Sequence, residues 1–426
     1  MRKYQQLALV IISLISIMVL IMYRNENSKL RYILEVVNFF GRTDAAALVR
    51  IENSTTFSHI AADFATPLPM WTRLGSEFHA YSSFWTKNSF SAGGEVVTLV
   101  VGLRHAIVNF RCQLQFPGHA SLMSGKFEFA REEYNEVASG SAEEFLMYRF
   151  LCKVSRDFGT PETVVFVNTT SQAEHVLPIR SGRNNTLTPR TSLVACVDMV
   201  SSTLPKSSGK SLHIPERDIL QYFIHHQIVG IDEFIVYDHY HITGHIRELL
   251  YRHGIKISIL PYNFPFTVTA DVQNRVFLET DCLLRTSHDA NFVLLARINE
   301  YFYPTASLKR SKTLFKALSS HSADIQRFAV TTKTVCTEDS VRILAENHQY
   351  DPNAKILHPF IVYRMEAGVV ENVKLLDLDP HVAIVHRYSR CSNKSSSSSL
   401  IDWRTTLKTD HYSYVMKITE ELRKVL

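Results

Sequence analysis

Between residues 193 and 296, short apolar runs alternate with amphipathic stretches, and this alternation restricts the fold more than any other feature of the chain. Leu193–Val200 (LVACVDMV) has the length of a strand. Pro215 and Glu216 then open a helix that places Leu220, Ile224 and Ile228 at i, i+4 and i+8 on one face and stops at Gly230. Phe234–Tyr237 reads as the next strand, ended by Asp238. A second helix carries Ile246, Leu249 and Leu250 and stops at Gly254, after which Ile255–Leu260 makes a strand closed by Pro261. A third helix over 270–285, with Val272, Val276, Phe277, Leu283 and Leu284 inward, feeds the apolar run Phe292–Ala296. Strands apolar enough for burial on both faces, separated by helices, predict an α/β fold with a doubly wound, mostly parallel sheet. Ligands sit at the carboxyl ends of such strands. Here those ends are Asp238 and the stretch Arg297–Glu300.

The preceding region has a different texture. Val96–Val101, Ile107–Phe110 and Thr163–Val167 are β-rich runs bounded by Gly, Pro and Asn, which predicts a small β-rich domain over 75–180. The polar stretch 181–190 (SGRNNTLTPR) reads as a linker, and 191–426 as the α/β domain. Further upstream, Leu7–Tyr23 is free of charge and proline. It is at the short end of what spans a bilayer as a helix, with a cleaved signal peptide as the rival reading. Taken as a signal anchor at 7–23, it leaves a cytoplasmic tail over 1–6 and a stem over 24–74. The expectation is a single-pass type II membrane protein, held in the lipid bilayer by residues 7–23 with its body in the lumen.

Four sequons, at Asn53, Asn168, Asn184 and Asn393, lie beyond that run and suit such a lumen. Six cysteines without a Cys-x-x-Cys pair argue against structural zinc, while disulfides and free buried thiols both stay open. A net charge of +5 with no long basic run gives no reason to expect nucleic acid as a partner. The chain has no His-Glu-x-x-His, Gly-x-Ser-x-Gly or phosphate-loop signature, so hydrolase and ATPase readings are poor.

Several stretches resemble glycosyltransferase family 92. They are Tyr148–Cys152 (YRFLC), Pro161–Val165 (PETVV), Val194–Asp198 (VACVD), Gly230–Asp238 (GIDEFIVYD), Asp281–Arg285 (DCLLR), Asn299–Pro304 (NEYFYP) and Val382–Tyr388 (VAIVHRY). The similarity runs over about residues 78–390, and the order and spacing of the motifs carry it. The resemblance implies a GT-A fold, a place in the Golgi or another secretory membrane, and a hexosyltransferase. Such an enzyme transfers a sugar, typically galactose, with inversion from a UDP-sugar to a glycan acceptor, with Mn2+ as the expected cofactor.

One departure from the family pattern bears on the chemistry. Where the family has Asp-x-Asp-Glu at the end of the fourth strand, this chain has Arg297, Ile298, Asn299 and Glu300. A divalent cation there bridges carboxylates and the donor diphosphate. Asn299 still offers a neutral oxygen, so a metal would be held by Asn299 and Glu300, but Arg297 is donor-only and permanently charged. Over the three positions the formal charge moves from −3 to 0. Two outcomes follow: Arg297 clamps the diphosphate and transfer proceeds without metal, or catalysis is lost and the chain binds a glycan or a protein partner.

The donor-nucleotide candidates are Asp238, Arg297, Asn299 and His386, and the catalytic candidates are Glu300 and Asp281. Each has a bland counterpart. Asp238 suits a turn or helix cap, Glu300 an ion pair with Arg297, Asp281 a local cap, and His386 a hydrogen-bonded core position. His225 and His226, adjacent on a helix, face different directions and argue against a shared ligand.

Overall fold

The computed structural model describes residues 71–87, 93–119, 121–132, 145–180, 191–199, 214–238, 242–262, 271–287, 289–304, 318–337, 347–350, 360–365, 374–380, 382–390 and 400–402. All of these fall within one compact unit.

Eight strands come first, with no helix among them: β1 (Thr72–Leu74), β2 (Phe78–Lys87), β3 (Gly94–Leu103), β4 (Phe110–Gln115), β5 (Met123–Glu132), β6 (Phe145–Val154), β7 (Thr163–Asn168) and β8 (Glu174–Arg180). Their order is β1-β2-β3-β6-β5-β4-β7-β8, and β8 returns to pair with β2, closing seven strands into a barrel. Closure removes most of the exposed sheet edge. Aromatic rings fill the inside: Phe78 meets Tyr148 at 5.3 Å, Phe127 meets Phe150 at 5.3 Å and Phe150 meets Phe166 at 5.7 Å, all edge to face. Ile107, expected in a strand, lies in the loop before β4 and is largely exposed.

The Cys112–Cys152 disulfide joins β4 to β6 across β5. It crosses at Gly125, where an added Cβ would lie 2.4 Å from Cys152 Sγ and 3.1 Å from Cys112 Sγ. Gly125→Ala therefore must displace a covalent bridge in a packed interior and is expected to cost about 1–3 kcal/mol. A urea midpoint unchanged by this substitution, with the disulfide intact, would contradict that packing.

The second sheet has the order β11-β10-β9-β12-β17-β14-β18. It contains β9 (Thr191–Asp198), β10 (Glu233–Asp238), β11 (Ile257–Pro261), β12 (Ala290–Arg297), β14 (Ile325–Val330), β17 (Phe360–Arg364) and β18 (Lys374–Leu378). Strands β9 to β12 run parallel to one another, and β17 runs antiparallel to both its neighbours. Three helices, α1 (Glu216–Ile228), α2 (Gly244–Arg252) and α3 (Asp271–Thr286), connect β9 through β12. Gly230 (φ 109°) and Gly254 (φ 70°) end α1 and α2 in the left-handed region, which a side chain would disfavour. On α3 Phe277, Leu278 and Cys282 are the fully buried apolar side chains among the described residues, whereas Leu283 and Leu284 are only half-buried. A third sheet, β13-β19-β15-β16-β20, holds β13 (Glu300–Pro304), β15 (Thr332–Thr337), β16 (Asn347–Tyr350), β19 (Ala383–Arg390) and β20 (Leu400–Asp402).

The expected fold class is corrected by this architecture. The chain is not a doubly wound α/β protein, GT-A-like or otherwise, with a small β appendage. Twenty strands stand against three helices among the described residues, and seven of those strands form a closed barrel. The reason is that, among the described residues, α1, α2 and α3 lie within 216–286, while β1–β8 pair among themselves in the barrel and the strands after 286 extend the second sheet and build the third.

The membrane expectation is corrected as well. No helix among the described residues is long and apolar enough to cross a membrane, so nothing in the structure supports a single-pass type II protein, a transmembrane helix or a Golgi location. The run 7–23 lies outside the described residues, as do Asn53, Asn184 and Asn393. Asn168 sits at the end of β7, where its Oδ1 accepts from the Thr170 and Ser171 amides.

Candidate functional site

Strand β9 has β10 on one side and β12 on the other, so the connections leaving its neighbourhood diverge between β9 and β12. In open parallel sheets this divergence leaves a crevice at the carboxyl ends. Asp198 ends β9 and Arg297 ends β12, and the two are register partners. Both are nearly buried, at 1% and 4% exposure. Asp238 ends β10, one strand away, and its carboxylate accepts the Ile242 amide at 3.0 Å.

Glu300 opens β13 directly after the Arg297–Asn299 turn. Antiparallel pairing places it opposite Arg387 on β19, whose Nε and Nη2 lie 2.9 and 2.7 Å from Oε1. The other oxygen, Oε2, accepts the backbone N–H of Arg297 at 2.9 Å and faces Arg275 Nη1, from α3, at 3.6 Å. Burial alone would push this carboxyl group up, but Arg275 and Arg387, with the Arg297 amide and guanidinium, hold it below the usual glutamate value. Asn299 is tied down by the same strand pair: its Nδ2 donates to the Tyr388 carbonyl at 2.7 Å, and the Tyr388 amide donates to the Asn299 carbonyl at 2.9 Å. His386 is buried beside Tyr303, with ring centroids 4.6 Å apart, opposite Tyr301 in the register.

Asp281 belongs to a different place, the joint between the barrel and the second sheet. It accepts from Ser82 Oγ of β2, from Tyr237 Oη of β10 at 2.6 Å, and from Arg285 through Nε and Nη2 at 2.8–2.9 Å. Tyr81, Tyr262, Phe277 and Trp71 pack beside it, and Tyr81 Oη donates to the Pro261 carbonyl. The Cys196–Cys282 disulfide fastens α3 to β9 next door. The structure therefore brings Arg297, Asn299 and Glu300 together, sets Asp238 one strand over and His386 on the adjoining strand, and gives Asp281 a separate set of partners on β2, β10 and α3.

These residues do not fit a divalent cation. Arg297 has no lone pair to offer, both oxygens of Glu300 are engaged, and among the described residues no group of three His, Cys, Asp or Glu side chains is placed to hold a metal.

Sequence reasoning missed Asp198, Arg275 and Arg387. Asp198 was within reach of the strand-end rule that singled out Asp238. Arg275 and Arg387 lie in the interior of a helix and a strand and carry no local signal; only the tertiary pairing turns them toward Glu300.

The histidine pair has a definite task. His226 Nδ1–H donates to the Tyr222 carbonyl at 2.8 Å, leaving Nε2 to accept the Phe302 amide at 3.2 Å. His225 Nε2–H donates to the Phe302 carbonyl at 3.0 Å. Two side chains of α1 thus satisfy both backbone groups of Phe302 on β13. Burial, and then the neighbouring His225, hold His226 well below its usual 6.5. A base depressed in the folded state stabilises fully above its unfolded value and loses that stability as pH falls below it. Between pH 7.5 and 5.5 the wild type should lose about 1 kcal/mol more than His226→Gln, which keeps an acceptor and a donor without titrating. Urea midpoints at the two pH values measure this. Equal losses would show that His226 charges freely.

The chain matches no family model and no curated protein. Among solved structures it is similar to 4-diphosphocytidyl-2C-methyl-D-erythritol synthase from Anaerococcus prevotii, at 14% identity, 55% of this chain, 96% of that chain and a TM-score of 0.25. It is also similar to a CMP:2-keto-3-deoxy-manno-octonic acid synthetase complexed with CTP, at 10% identity, 56% of this chain, 100% of that chain and a TM-score of 0.21. At these scores neither likeness carries an argument about fold or function.

Proposed function

We propose that this protein is a glycosyltransferase, related to family 92, that transfers a hexose with inversion from a UDP-sugar to a glycan hydroxyl. Galactose is the sugar that the resemblance implies. The observation that supports it is the divergence of the second sheet between β9 and β12, with Asp198 and Arg297 facing each other in register at the carboxyl ends. In the transfer, the acceptor hydroxyl releases its proton to solvent as its oxygen bonds to C1 of the sugar and the bond from C1 to the diphosphate breaks, and negative charge gathers on the departing nucleotide. A guanidinium at the strand end suits that charge, because it matches phosphate oxygens in a fork and never deprotonates.

The second reading is a non-catalytic relative that binds a glycan or a protein partner. It is favoured by the engagement of every acid the sequence nominated: Asp238 by the Ile242 amide, Asp281 by Ser82, Tyr237 and Arg285, and Glu300 by arginines. One experiment separates the two. Purified chain is mixed with UDP-galactose and a panel of glycan acceptors, with and without chelator. Turnover that survives chelation supports the transferase. Absence of both turnover and UDP binding removes it and leaves the binding protein.

A further inference from the structure

We propose that Arg387 and Arg275 stand in for a divalent cation at Glu300, so that the positive charge at this strand end is built from side chains and cannot be exchanged for a metal. The geometry carries the idea. Arg387 approaches Oε1 through two nitrogens at 2.7 and 2.9 Å, Arg275 lies 3.6 Å from Oε2, and the Arg297 amide takes the remaining lone pair on that oxygen at 2.9 Å. Both arginine side chains are nearly buried, 12% and 6% exposed, against a Glu300 side chain with no exposure at all.

Charge counting agrees. Arg275, Arg297 and Arg387 are three positive groups against two carboxylates, Glu300 and Asp198 across the register from Arg297, so the strand end carries +1 from side chains alone. A cation entering here would have to displace two guanidiniums from a buried site, strip them of their partner and then find ligands among Asp198, Asn299 and the backbone. One carboxylate, a neutral amide and carbonyl oxygens do not compensate for that. The substitutions at Arg297 and Asn299 thus belong with two further arginines, on α3 and β19, that no strand-end motif includes.

The metal half of the inference holds whether or not the chain transfers sugar, while the role toward diphosphate rests on the proposed function. Two titrations on the full chain test them separately. Mn2+ alone is titrated by calorimetry, and its position is read from paramagnetic broadening of the Phe302 and Tyr388 amide signals. The expected result is no saturable binding and no selective broadening up to about 1 mM. Saturable Mn2+ binding that broadens those amides overturns the inference without requiring any variant to fold. UDP is then titrated with EDTA and with Mn2+. Equal affinity in both, weakened about tenfold by Arg387→Gln and partly restored by Arg387→Lys, is expected. UDP binding that requires Mn2+ overturns the role of the arginines. Absence of UDP binding under either condition overturns the transferase reading and the role toward diphosphate together, while the Mn2+ titration still decides the metal half.

Discussion

Asp281→Asn is expected to destabilise the protein by about 3–5 kcal/mol, the cost of leaving a buried charge without its partner. Arg285 is bound to Asp281 by three short contacts and its side chain is 10% exposed, so it cannot recover its hydration when the carboxylate becomes an amide. Ser82 and Tyr237 would also face a weaker acceptor. The urea unfolding midpoint measures the loss. Asp281→Asn combined with Arg285→Met should be more stable than Asp281→Asn alone, because the orphan guanidinium of Arg285 is removed. A loss below about 1.5 kcal/mol for the single change would mean that the joint does not depend on this ion pair.

Glu300→Gln is expected to have a similar effect, about 3–5 kcal/mol, by exposing Arg275 and Arg387 to one another around a neutral group. The carboxyl group also predicts a pH signature. Its folded value is held below the usual 4.5, so it contributes stability above that value and loses it as pH falls through the depressed folded one. Wild type should therefore lose its advantage over Glu300→Gln as the pH drops below about 4.5. Unfolding midpoints measured across pH 3–7, in this range by design and to about 0.3 kcal/mol, suffice. A gap between the two proteins that is the same at every pH would show that the carboxylate is not the source of the difference.

Much of the local structure was legible in the residues. Helix α1 was marked by Leu220 and Ile224, both buried, and by the stop at Gly230; β10 was marked by Phe234–Tyr237 and its terminal Asp238. Such signals are local, since period and turn chemistry act over a few residues. The barrel was not legible as a closed object. Its strands could be read one by one, but closure depends on Ser83 and Phe84 pairing with Ile179 and Arg180, a contact that no window of sequence contains.

The candidate site divides in the same way. Arg297, Asn299 and Glu300 were found because a strand end draws attention in any parallel sheet. The bland reading of Glu300 pairs it with Arg297. The backbone of Arg297 does reach it, but the guanidinium in contact is that of Arg387, 87 residues away. For Asp281, adjacent in sequence to Cys282 on a helix whose face looked toward the sheet, nothing local indicates that Ser82, 199 residues earlier, completes its shell.

The placement of Asp281 also bears on how the chain can be divided. The polar stretch 181–190 looks like a seam, and the strands on either side do belong to different sheets. Yet a single carboxylate is shared by β2, β10 and α3, and Trp71 packs against Tyr262 and Phe277 from the far half. A fragment severed at that seam would present aromatic rings to water and strand a guanidinium, so the two halves are poor candidates for separate expression.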